Sequence, residues 1–67
     1  MKKLKLYTKK LKVEMKRQGL TYQNLGDIMG VQRQTVGYYI NHPGELTLKT
    51  INKIAHAINM DPKDLLI

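Results

Sequence analysis

Residues 19–41 read GLTYQNLGDIMGVQRQTVGYYIN, and the punctuation of this stretch decides what the chain can become. Thr21 stands where an N-cap belongs, because its hydroxyl can take a backbone N–H that the first turn of a helix leaves unpaired. Leu25, Ile28 and Met29 then recur at the steps of a helical face, and Gly30 closes this second helix after about two turns. Another short helix is predicted at once, from Val31 to Ile40. Val36, Tyr39 and Ile40 form its stripe to be buried, leaving Arg33, Gln34, Gly37 and Tyr38 on other faces. Two short helices thus meet around one glycine.

Working outward, Leu4, Leu11 and Met15 recur at helical spacing among lysines and predict a first helix ending near Gln18 and Gly19. Its start has two readings. Lys3 to Thr8 alternates charged and apolar residues as a strand does, whereas Thr8 can cap a shorter helix from Lys9. The expectation is a helix with a frayed or arm-like start over residues 1–8. On the other side, Asn41-His42-Pro43-Gly44 stops the helices, Pro43 removing a donor and Gly44 permitting positive φ. Thr47 caps a fourth helix with Leu48, Ile51, Ile54, Ala55 and Ile58 as its apolar face. Asp61-Pro62 opens a last short one that buries Leu65, with Leu66 a further candidate. Residues 1–67 are expected to make one all-α domain of five helices.

A chain of 67 residues buries only about 60% of its unfolded surface, so a second copy is an attractive source of support. There is no cysteine, which excludes disulfides and thiolate zinc sites. The formal charge is +7, and it is all at one end. Residues 1–17 hold Lys2, Lys3, Lys5, Lys9, Lys10, Lys12, Lys16 and Arg17 against Glu14 alone; four cations and four anions balance after that. Such a segment attracts a polyanion, either nucleic acid or an acidic membrane surface, or else is simply a solvated face. The opening MKKLKLYTKK has the charge of a secretory leader, but lysines interrupt its apolar region. No apolar run reaches the roughly 20 residues that span a bilayer. A soluble, cytoplasmic protein is expected.

Two short helices joined through about three residues around a glycine make a helix-turn-helix, here at about residues 21–41, whose second helix can enter the major groove. The stretch quoted above, together with LTLKTINKIAHAINMDPKDLL downstream, resembles the Cro and phage-repressor (XRE) family of helix-turn-helix domains. The likeness runs ungapped over nearly everything after residue 10. It implies a five-helix, lambda-repressor-like fold and sequence-specific binding of double-stranded DNA. The role implied is a repressor-like transcriptional regulator, working as a homodimer on a pseudopalindromic operator. Base contacts are implied for Gln32, Arg33 and Gln34 in the first turn of the third helix, with Tyr38 one turn on. The chemistry suits them, since Arg pairs bidentately with guanine O6 and N7, and Gln with adenine N6 and N7. Arg33 is expected on the side opposite Val36 and Tyr39. Phosphate contacts are expected from Thr21, Tyr22, Gln23 and Asn41 around the motif, and from Lys10 and Arg17 on the first helix.

The chain departs from the family at Tyr22, at Met15 with Ile40 and at His42, while Gly26 keeps the family's small residue. Tyr22 replaces a glutamine that commonly bridges phosphate and recognition helix, although its hydroxyl can still donate to a phosphate oxygen. Gly26 falls where the family has a small residue, usually alanine, at the close crossing of two helices. Met15 and Ile40 stand where many members bury an arginine–glutamate pair, and a joint apolar replacement is often neutral or stabilising. His42 occupies a usual glycine position. Asn41 has two readings, a phosphate neighbour or a left-handed helix cap.

Other functions find little in the sequence. There is neither cysteine nor serine, and the five acidic residues lie on separate segments, so no enzyme is expected. His42 and His56 read as surface histidines, and no metal or cofactor is expected. No small-molecule effector is evident. The competing readings are an antitoxin-like partner of DNA and protein, and membrane-surface binding through the basic N-terminal segment, which lacks a broad aromatic face.

Overall fold

The computed structural model describes residues 5–66. Four α-helices follow one another: α1 (Thr8–Gln18), α2 (Tyr22–Met29), α3 (Arg33–Asn41) and α4 (Leu48–Ala57), with single 3-10 turns at Pro43–Glu45 and Pro62–Leu65. The expected fifth helix is therefore corrected to a 3-10 turn. Its bonds run from Asp64 N–H to Asp61 O and from Leu66 N–H to Lys63 O, three residues apart rather than four. Asp61 still caps it, its carboxylate accepting the Lys63 N–H at 3.1 Å.

Three of the helices end in the same way. Gly19 and Gly30 take φ of 69° and 75°, and Asn59, just past α4, takes 58°. In each case the next residue donates its N–H back to a carbonyl five positions earlier: Leu20 to Met15, Val31 to Gly26, and Met60 to Ala55. This pattern satisfies carbonyls that a helix end leaves free. Leu20, Val31 and Met60 are also apolar and pack on the core, so each closure turns the chain inward.

The core gathers Leu11 and Met15 of α1, Leu25 of α2, Val36 and Ile40 of α3, and Ile51, Ile54 and Ala55 of α4, with Leu6, Ile58 and Leu65 closing it. No polar or charged side chain among the described residues is buried with them. α2 and α3 pack most closely on each other; α4 packs on α2 and on the C-terminal turn, which in turn touches α1. Several expectations change. Ile28 and Leu48 are 56% and 51% exposed, because no element covers those sides of α2 and α4. Gly44 does not use positive φ. α3 begins at Arg33 instead of Val31, with Gln32 in extended conformation at its N-cap.

The N-terminal alternation acquires a meaning that a helix would not have given it. Leu4 lies outside the described residues, but Leu6 is buried and forms an isolated antiparallel bridge with Leu66. Leu6 N–H donates to Pro43 O at 3.0 Å, and Tyr7 N–H to Leu65 O at 2.7 Å. Leu6 and Tyr7 are thus clasped to the body, and Thr8 is the first helical residue rather than a cap.

Candidate nucleic-acid interface

The helix-turn-helix is built from local hydrogen bonds and one close crossing. Thr21 Oγ1 accepts the Asn24 N–H at 3.1 Å and donates to Asn24 Oδ1 at 2.9 Å, while Thr21 N–H donates to the same oxygen at 3.0 Å. This reciprocal cap fixes where α2 begins. It also commits both donors of Thr21, leaving none for a phosphate in this arrangement. At the other end the turn folds directly over Gly26, where a methyl group would lie 2.7 Å from the Val31 carbonyl oxygen. Glycine is what permits α2 and the turn to approach so closely.

On α3, Gln32, Arg33 and Gln34 are all exposed, Gln32 at the cap and the other two in the first turn. Arg33 forms no ion pair among the described residues, where the pairs are Arg17 with Glu14 and Lys63 with Asp61. Arg33 is not opposite the buried stripe as expected. It lies one turn before Val36 and Gly37, on the flank of the helix, and owes its exposure to being the first helical residue. Tyr38 is 48% exposed but held by its own neighbours. Its ring stacks on His42 with centroids 4.2 Å apart, and its hydroxyl donates to Glu45 Oε1 at 3.4 Å. Asn41 is the exposed last residue of α3, and the cap is His42 at φ −129°, so the left-handed reading of Asn41 is corrected. Gln23 Nε2 donates to Asp27 Oδ1 at 2.9 Å along α2.

Residues 10–67 match the Cro/C1-type HTH DNA-binding domain. The chain belongs to that family. No curated protein and no solved structure matches it significantly. A Cro/C1-type domain binds DNA with the helix pair just described, and the regulation of transcription is the activity that goes with it.

The flank of this Cro/C1-type domain is set by α1, and here the structure sorts the cations differently from the sequence. Arg17, expected at a phosphate, holds Glu14: its Nε donates to both carboxylate oxygens at 3.1 Å, and Nη2 makes a further close contact with Oε1. Gln18 Nε2 adds a bond to Glu14 at 3.0 Å and another to Ile58 O at 2.8 Å, tying α1 to the end of α4. These hydrogen bonds, Arg17's first, hold the Glu14 carboxyl at a pKa of about 2, below its ordinary 4.5. Arg17 therefore keeps its charge and holds Glu14 as partner in an exposed ion pair. Lys10 is exposed on α1, away from the hollow where α1 meets the start of α2. That hollow, of about 440 Å³, is lined by Lys12, Met15, Lys16, Leu20, Thr21 and Tyr22. Lys12 and Lys16 did not stand out from the other lysines in the sequence, although their four-residue spacing puts them on one face.

Two glycines on the motif differ in kind. Whereas Gly26 is filled from outside, a methyl group at Gly37 would meet only Tyr22 Cε2, at 4.0 Å. Among the described residues no three His, Asp or Glu side chains converge as a metal site requires. No helix among them is long and apolar enough to cross a membrane.

Proposed function

We propose that this Cro/C1-type domain is a sequence-specific, repressor-like regulator that reads the major groove of duplex DNA with α3. The observation carrying this reading is the first turn of α3. Arg33 and Gln34 project from a helix whose crossing with α2 is locked at Gly26, and Arg33 has no carboxylate partner among the described residues to satisfy its guanidinium. A planar fork so presented suits the two acceptors of a guanine edge, and the amide of Gln34 suits an adenine. Gln32 supports them from the cap. Tyr38 serves as a base contact through its ring edge or by accepting at its hydroxyl oxygen, whose proton is directed to Glu45. Phosphates are met by Tyr22, Gln23 and Asn41, with Lys10 outside the motif.

The regulator acts as a homodimer on a pseudopalindromic site, a reading supported by the family's two-fold habit and by the small size of the domain. Leu65 is fully buried and so takes no part in that contact. Selection of bound duplexes from a random pool, followed by sequencing, tests both halves of the proposal. Two copies of one motif are expected, with centres roughly 10 bp apart. Arg33→Ala is expected to cost about 1–3 kcal/mol of binding and to flatten preference at one position in each half-site. A single unrepeated motif removes the dimer. A loss that is equal for every sequence makes Arg33 a phosphate contact instead.

A further inference from the structure

Gly37 sits inside α3, four residues into a nine-residue helix, where glycine is about 1 kcal/mol worse than alanine. The usual reasons for tolerating it do not apply. Its φ is not positive, and a Cβ built on it would stand in ordinary contact with one ring carbon of Tyr22 and nothing else. The free protein has room for alanine. What the residue does instead is leave one half-buried position of α3 without a side chain, bordered by Tyr22 and one turn along from Arg33. Tyr22 in turn lines the hollow that carries Lys12 and Lys16. Tyr22 thus links the side-chain-free position on α3 to a hollow that carries two lysines.

Building on the DNA-binding reading, we propose that Gly37, Tyr22, Lys12 and Lys16 form one seat for a single sugar–phosphate strand. Gly37 is kept without a side chain so that the strand can lie directly on α3. The shape admits a thin, sugar-lined chain at Gly37, while Tyr22 and the lysines supply donors to phosphate oxygens further along it. The seat carries no sequence information; it fixes how deeply α3 sits in the groove, and so whether Arg33 reaches a base at all.

The test compares wild type, Gly37→Ala and the paired substitution Lys12→Ala with Lys16→Ala. The probes are a duplex recovered by selection and a random-sequence duplex of equal length. Gly37→Ala is expected to raise the melting temperature by about 4–8 °C, since it improves the helix without a clash. It is expected to weaken both duplexes alike, by about tenfold, through overpacking against the strand. The lysine pair is expected to lessen the salt dependence by about 0.9 for each phosphate that is no longer neutralised. Its effect should shrink in the Gly37→Ala background, because the strand has already lifted. A stabilised Gly37→Ala that binds as tightly as wild type overturns the seat, as does a selective loss at one base pair. Failure of the wild type to retain any duplex overturns the underlying reading as well, so the two failures are distinguishable.

Discussion

Two helical glycines in one motif have opposite consequences for substitution, and geometry decides the sign. At Gly26 a methyl group would sit 2.7 Å from a backbone oxygen, which cannot rotate away as a side chain can. Gly26→Ala gains helix propensity of about 1 kcal/mol yet must push the turn off α2, and overpacking of this kind costs about 1–3 kcal/mol. We expect a net loss of stability, read as a lower denaturant midpoint at unchanged slope. An unchanged or raised midpoint would mean that α2 and the turn separate easily.

Helix ends were legible where glycine marked them and illegible where it did not. Gly19 and Gly30 announce closures because they adopt positive φ freely, whereas Asn59 performs the same closure with a residue that appears in many other settings. Thr21 and Thr47 were legible as caps; each accepts the backbone N–H of the residue three positions on. Arg17, Lys12 and Lys16 could not be sorted from the sequence, because sorting them requires knowing that Glu14, held by Gln18, takes Arg17 and that α2 starts beside the other two. Between elements, Met15 of α1 and Ile40 of α3 are both buried in the one core. Ile40→Glu is expected to cost about 3–5 kcal/mol by burying an unpaired charge, and adding Met15→Arg should recover part of that. Additive losses in the double-mutant cycle would show that the two side chains are not neighbours.

For the molecule as a whole, the positive charge of residues 1–17 is offset at one point, where exposed Arg17 pairs with Glu14. The same pair makes stability depend on acid. The Glu14 carboxyl titrates near 2 in the folded chain and near 4.5 when unfolded, so its contribution is complete above about pH 4.5. As pH falls from there towards 2, the unfolded chain takes up the proton first and the contribution drains away. Melting curves of wild type and Glu14→Gln should therefore differ by a constant amount above pH 4.5 and converge towards pH 2. A difference that does not change with pH would show that the pair does not stabilise the fold through its charge.

The clasp that joins Leu6 to Leu66 and Pro43 also sets an order of events in time. Its contacts with Leu65 and Leu66 close a loop of nearly the full chain and that with Pro43 a loop of more than half of it, whereas those of α2 with α3 close only a short one, and the entropy of closure grows with the length enclosed. The helix pair that meets DNA can thus assemble early from neighbouring residues, and the ends dock late. Run backwards, the same order makes the clasp the first part to open. Amide hydrogens of Leu6 and Tyr7 will exchange with solvent through a local opening, long before those buried under Leu25 and Val36 need the whole domain to unfold.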